Sequence, residues 1–297
     1  MSAHAEFLRA ASKDIDLATR LKDDYRTASL TEQDRRMLEF VEKLTLFPWL
    51  LVRTDVTVLR NAGFPDATIL HIVLGSAHFN YLNRMADGIG IRFEYQTEIP
   101  ASSSPSPEPE SARFVVIDSD LPESSHKRLG WIELPESNEP PTRSEGPQNL
   151  YRLMSHNPEA RDLAREWRNY QMKGTTRLDA RLRSQLGLYI SGINHCEYSA
   201  YWIGKSLRSF GESRFLCERL ASGEPPPDLP TREELLFTQA RRLTHEPAST
   251  TEEHIHQLRQ AGLDDQGILQ LTMLCSYLSF ENRVALALGV QIESETS

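Results

Sequence analysis

The chain carries one helical design written twice, at a constant offset of 199 positions (203 minus 4) that needs no gap. Self-similarity at a fixed distance reports duplication, and it constrains the fold before any local motif is read. The segment from His4 to Ile91 lies over Ile203 to Val290. The coincident positions are those that helix packing and helix punctuation depend on. Leu8 and Arg9 match Leu207 and Arg208, Arg20 and Leu21 match Arg219 and Leu220, and Leu30 matches Leu229. Leu44, Thr45 and Pro48 match Leu243, Thr244 and Pro247. Further on, Leu59, Arg60, Ala62 and Gly63 recur as Leu258, Arg259, Ala261 and Gly262, and Ile69 and Leu70 recur as Ile268 and Leu269. Asn83, Arg84 and Gly90 return as Asn282, Arg283 and Gly289.

Within each copy apolar residues fall at helical spacing, as in Met37, Phe40, Val41 and Leu44, so helices are expected over Asp14 to Tyr25 and Glu32 to Leu46. Thr31 is placed to cap the second, with Asp34 three residues on. Asp55 to Asn61 continues as a helix stopped at Gly63, and Pro65 and Asp66 open a longer one through Ala86 that ends near Gly88 and Gly90. In the second copy Pro230 and Thr231 open the matching helix, and Gly262 stops its successor. Neither copy contains an alternating strand, so the fold class is all-α. Between them, Ala101 to Ser111 reads ASSSPSPEPES, which cannot bury enough apolar surface to offset ordering and reads as a flexible linker. Phe114 to Ile117 reads as one short extended piece. From Leu129 the texture changes to Trp131, Ile132 and Leu134, followed by helices over Asn149 to Met154, Pro158 to Gln171 and Asp179 to Ile190, the last halted at Gly192. The second copy thus owns an N-terminal half that the first lacks. The expected organisation is a partial unit over 1–95, a Pro/Ser-rich linker over 96–128 and a full unit over 129–297.

A chain of 297 residues is about two domains' worth. Its formal charge of -9 argues against a nucleic-acid partner, because phosphate binding needs clustered Lys and Arg, and Arg35-Arg36 reads as a solvated helix face. No charged-then-apolar leader opens the chain, and the longest apolar stretch, Leu46 to Val52, is too short to span a bilayer, so no membrane partner is expected. The odd set Cys196, Cys217 and Cys275, all in the second unit, points to a reducing, cytoplasmic setting and not to a disulfide scaffold. His71 and His78 share a helix face but lack a carboxylate or thiol partner, and His254 and His256 point to different faces, so no metal is expected. Nucleophile elbow, Walker loop, His-Glu-x-x-His and dinucleotide fingerprints do not occur.

The best site candidate is the run from Ser191 to Ser199, SGINHCEYS. Asn194 with Glu197 three residues on is a capping-box arrangement, which would set Cys196 in the first turn of a new helix. There the unpaired N–H groups and the positive end of the helix dipole favour thiolate over thiol. The plain alternative is that Cys196 is a small buried residue packing a helix start, as Cys217 and Cys275 are expected to be among apolar helix positions.

The pattern from Asn194 to Ser199, the helix Tyr201 to Phe210 that follows, the LTxxP hairpin and the terminal Asn-Arg-x-Ala resemble the alkylhydroperoxidase D and carboxymuconolactone decarboxylase family, and its peroxidase-related branch most closely. The resemblance covers about residues 129 to 290 as a full unit and 4 to 95 as a partial one. It implies AhpD-like helical units in tandem, a covalent pseudo-dimer whose first unit lacks its N-terminal half. In that family a helix-start Cys-x-x-Cys-x-x-x-His reduces peroxides, the second thiol resolves the first, and the His with a Glu on the preceding helix relays protons.

Carried over residue by residue, Cys196 takes the first thiol position, Ser199 the second, Ile203 the motif His, and Ser184 the relay Glu. A Cys-x-x-Ser cannot close an internal disulfide, although serine still hydrogen-bonds a thiolate, and a sulfenic acid resolved by an external thiol remains open to it. The resemblance thus implies a thiol-dependent peroxidase-like oxidoreductase with Cys196 as nucleophile, Ser199 as its partner and Glu197 as the nearby acid–base group. His195 adjoins the thiol, but neighbouring helical residues diverge in direction. A hydroperoxide and an external thiol reductant are the implied partners, and no cofactor is. Two alternatives stay open: a non-catalytic scaffold or regulatory partner, and a cofactor-free lyase like the decarboxylase branch. By the repeat offset His4 stands at the motif-His position, so the thiols of the first copy would precede Met1. Either that upstream half was lost or the start lies further upstream. A half-unit exposes apolar helix faces, so the first copy is expected to pack on the second or on another chain, and a homo-oligomer is expected.

Overall fold

The computed structural model describes residues 17–91, 129–135 and 146–293, Thr175 excepted. His4, the linker run Ala101–Ser111 and the extended piece expected at Phe114–Ile117 lie outside the described residues.

The first copy comprises α1 (Leu17–Asp24), α2 (Glu32–Leu46), a 3-10 turn at Pro48–Leu50, α3 (Arg53–Asn61) and α4 (Asp66–Ile89). The N-terminal half of the second copy supplies α5 (Gln148–Leu153), α6 (Pro158–Lys173), α7 (Ala180–Ile193), α8 (Glu197–Ser209) and α9 (Arg214–Ala221). Then α10 (Thr231–His245), a 3-10 turn at Pro247–Ser249, α11 (Glu252–Gln260) and α12 (Asp265–Leu288) repeat the order of α2 to α4. Both boundaries of α2, α3, α4 and the turn recur at the offset seen in the sequence. The repetition reaches the backbone: Phe47, before the first turn, has φ -136° and ψ 56°, and Glu246, before the second, has φ -136° and ψ 57°. It also reaches the punctuation, because Gly90 and Gly289 both close their helices in the left-handed conformation. The α3–α4 corner is held by Arg60 on Asp66, and the α11–α12 corner by Arg259 on Asp265.

The longest helices form the most extensive pairing in the molecule, α4 against α12. α4 buries one stripe, Ile69, Leu70, Val73, Ala77, Asn80, Arg84 and Gly88, whereas α12 is buried on every side from Gln270 to Ala285 save Met273. A helix apolar all round belongs at the centre of a core, and α12 occupies it. The first copy therefore packs on the second, and one continuous core takes residues from both. Residues 129–135 tie the copies further. Trp131 N–H donates to the Leu288 carbonyl (2.7 Å), and the Trp131 carbonyl accepts from Arg60 Nη2 (2.7 Å).

Two expectations for single residues need correction. α7 does not stop at Gly192 but runs through it to Ile193. Gly192 is needed for close approach: a Cβ there would stand 2.4 Å from the Leu220 carbonyl oxygen and 2.7 Å from that of Ala221. The second correction concerns the start of α8.

Candidate functional site: the α7–α8 turn

The expected capping box of Asn194 with Glu197 is not formed. Asn194 is instead the last residue of the α7 terminus. His195 follows in the left-handed conformation (φ 52°), its N–H donating to Gly192 O (3.0 Å), while Cys196 N–H donates to Ser191 O (2.9 Å). These two bonds close α7 as a Schellman motif, and a histidine takes the position that glycine usually fills. Cys196 is then itself the N-cap of α8, with φ -97° and ψ 90°. The thiol sits at the mouth of the helix, two positions earlier than the sequence placed it.

Cys196 is only 2% exposed and Ser199, in the first turn of α8, 1%. Burial is the strongest influence on the thiol and pushes it up to about 11. The Ser199 hydroxyl and the backbone N–H groups of Ser199 and Tyr198 act in the opposite direction, and the negative charge of Glu281 adds to the upward push. Ser199 Oγ makes no geometrically complete hydrogen bond, yet it stands near enough to the sulfur to favour the ionised form. Two influences thus oppose each other at the sulfur: the donors of a helix start favour thiolate, and desolvation favours the thiol.

His195 and Glu197, on either side of the thiol, are both exposed, whereas the thiol is buried. The His195 ring meets Trp49 of the first copy edge-on, with centroids 5.7 Å apart. Ser184, at the relay-Glu position, is buried and donates its hydroxyl to Ala180 O (2.9 Å), and Ile203, at the motif-His position, is fully buried. All three cysteines are buried and free. His71 lies 3.1 Å from Asn157 Nδ2 and His78 stacks on Tyr81. Among the described residues no group of three or more His, Cys, Asp or Glu is placed to hold a metal. No helix there is long and apolar enough to cross a membrane.

The structure adds charged and phenolic groups that the motif did not contain. Glu281 of α12, 3% exposed, accepts from Arg168 of α6 and from Tyr277, one turn earlier, at 2.5 Å. The Tyr151 hydroxyl is buried without a hydrogen-bond partner, and burial together with the Glu281 charge keeps it protonated. On the other side of α8, Tyr198 OH and Trp202 Nε1 both donate to Glu293 (2.8 Å each). A signal for Glu281 did exist, since it is a carboxylate inside an otherwise apolar helix and it stands at the repeat position of Leu82.

No family model matches the chain, and no curated protein does. The solved structures similar to about half of it include the following three. A peroxidase-related protein from Silicibacter sp. TM1040 is 24% identical over 50% of this chain and 77% of its own, with a TM-score of 0.47. The alkylhydroperoxidase AhpD core of a peroxidase-related protein from Ralstonia eutropha JMP134 is 19% identical over 48% of this chain and 76% of its own, with a TM-score of 0.45. A protein of unknown function from Agrobacterium tumefaciens is 21% identical over 48% of this chain and 95% of its own, with a TM-score of 0.41.

Proposed function

We propose that this chain is an alkylhydroperoxidase D-like thiol oxidoreductase in which Cys196 reacts alone. The observation that carries the reading is the convergence of the Tyr198 and Ser199 N–H groups and the Ser199 hydroxyl on one sulfur at a helix start. Such donors stabilise negative charge as it forms. In the reaction the thiol loses its proton and the sulfur attacks a hydroperoxide oxygen. A S–O bond forms, the O–O bond breaks, and the alcohol leaves with a proton, so that sulfur is oxidised to sulfenic acid as the peroxide is reduced. An external thiol then displaces water to give a mixed disulfide, and a second thiol restores Cys196. Ser199, unable to form a disulfide, holds the sulfenic oxygen. Glu197 and His195 stand exposed on either side of Cys196, within reach of solvent. The apolar residues Phe79, Leu82 and Ile89 exposed on α4 support association with another copy.

Burial pushes the thiol up, so at neutral pH the protonated form prevails and turnover of this form is slow. That observation, with Ser184 and Ile203 where an acid and an imidazole are needed, favours the second reading, a non-catalytic scaffold. The two separate when the protein meets a small excess of an organic hydroperoxide and each cysteine is followed by intact mass and thiol trapping. The expected result is addition of one oxygen at Cys196, reversed by an external thiol and absent in Cys196→Ser. Oxidation of Cys196 no faster than that of Cys217 and Cys275 would leave the scaffold.

A further inference from the structure

At the start of α11 the duplicated frame keeps a hydrogen bond and changes the group that accepts it. In the first copy the turn at Pro48–Leu50 bonds its own backbone, Leu50 N–H donating to Phe47 O (2.9 Å) and Leu51 N–H to Pro48 O (3.3 Å). The next N–H, that of Val52, donates to the Asp55 carboxylate (2.7 Å). In the second copy Ser249 N–H donates to Glu246 O (2.9 Å) and Thr250 N–H to Pro247 O (3.1 Å). The next, that of Thr251, donates to Nδ1 of the His254 ring (3.1 Å). By the repeat offset Thr251 stands at the position of Val52 and His254 at that of Asp55. The neighbouring cation changes its role as well. Lys43 pairs with Asp55 (2.8 Å), whereas Arg242, at the position of Lys43, donates to Gln239 Oε1 (2.6 Å).

We infer that His254 is a pH-sensitive cap that fixes the Pro247–Ser249 turn on the first copy only while its ring is neutral. The device is independent of Cys196 and lies at the junction of the copies, because this turn packs against α4. An ionised carboxylate, as on α3, stays an acceptor throughout the neutral range, but an imidazole accepts through Nδ1 only while that nitrogen carries no proton. Protonation sets one N–H against another and adds positive charge at the positive end of α11. It also places that charge near Arg242, so all three effects act in one direction. Burial is the strongest influence holding the His254 ring below its ordinary value, and Arg242 of α10 adds to it, while Glu253 on the same helix acts the other way. Glu246, closing α10, attends Arg242, and Asp265 of α12 is held by Arg259 at the far end of α11. With the folded value below the ordinary 6.5, the contribution of the cap is fully present above 6.5 and is lost as pH falls through the folded value.

The test follows amide and imidazole 15N resonances of the folded full-length chain from about pH 8 to about pH 5. His254→Asp serves twice, assigning the ring signal and restoring the acceptor used in the first copy. In wild type the neutral ring is expected to carry its proton on Nε2 and to titrate with a midpoint below 6.5. The amides of Ala248, Ser249 and Thr251 are expected to shift with that same midpoint. Protection of the Thr251 N–H against exchange, referred to the intrinsic rate at each pH, is expected to fall about fivefold across it. In His254→Asp the three amides should hold still over the same range. A midpoint at or above 6.5, turn amides that do not follow the ring, or a step that persists in His254→Asp overturns the inference. Val52 N–H, bonded to a carboxylate at the matching place, is the internal control. A step there with the same midpoint would mean general loosening in acid and would likewise remove the cap as its cause.

Discussion

Cys196 receives opposing instructions from its position and from its burial. As N-cap it meets the free N–H groups of a helix start, which favour thiolate. As a residue 2% exposed it is kept from the water that would solvate the charge. The shift from the ordinary 9.0 to about 11 shows which wins, and it has a consequence for stability. Between these values the unfolded chain has released the proton that the folded chain retains. The unfolded state then binds fewer protons, so stability falls as pH rises through the window, by about 1.4 kcal/mol per pH unit at most. Urea midpoints measured from pH 8.5 to 10.5 should fall less steeply in Cys196→Ala than in wild type, and parallel slopes would show the thiol to titrate alike in the folded and unfolded chain. The sequence marked this cysteine as a helix-start residue and left open whether it is a buried packing residue, and its burial is what spacing could not show. Local spacing reports donors, whereas desolvation comes from tertiary packing, with α12, far away in the chain, lying against both α7 and α8. For the same reason Glu281 and Arg168 escaped notice, since each joins the site only through tertiary packing.

Helices that occur twice were legible because each copy checks the other. The expected Glu32–Leu46 helix is α2 to the residue, and Thr31 caps it as expected, its hydroxyl accepting from Asp34 N–H (3.1 Å). The α7–α8 turn has no second copy, and there the reading slipped. Asn194 suits both a helix start and a helix end, and only the backbone bonds from His195 and Cys196 decide between them. Glycine is equally ambiguous, as a stop or as a place for close approach. Gly192 and Gly75 separate the cases. In Gly192→Ala the new methyl meets the backbone of α9 at 2.4 Å and 2.7 Å, and no side-chain rotation relieves it. A loss of about 1–3 kcal/mol is expected in urea unfolding. In Gly75→Ala, on the outer face of α4, nothing lies within 4 Å, and a gain of about 0.5–1 kcal/mol is expected. Equal effects at the two sites would mean that helix propensity, not approach, explains Gly192.

The copies are joined by a reciprocal exchange. Arg84 of α4 donates to Thr244 O in the last turn of α10 (3.1 Å), and Arg283 of α12 donates to Thr45 O in the last turn of α2 (3.1 Å). Each arginine also donates to a carbonyl one turn earlier in its own helix, Asn80 O or Ser279 O. The sequence showed these residues in register, and the structure shows that each copy serves the other, as at an isologous interface. Burial lowers Arg84 to about 10 and Arg283 well below its ordinary value, and the two positive charges oppose each other. Asp87 on the same helix supports Arg84, and each arginine also meets the negative end of a helix from the opposite copy, so their charges are best placed when both halves are together. Unfolding should accordingly be a single cooperative event, with far-UV dichroism and tryptophan fluorescence giving one urea midpoint. Arg84→Met and Arg283→Met should each cost about 1–3 kcal/mol through the stranded carbonyl. The double variant should cost less than the two together, because removing either charge relieves the other. Strict additivity would mean that the guanidiniums do not sense each other, and two separate transitions would mean that the shared core does not couple the copies.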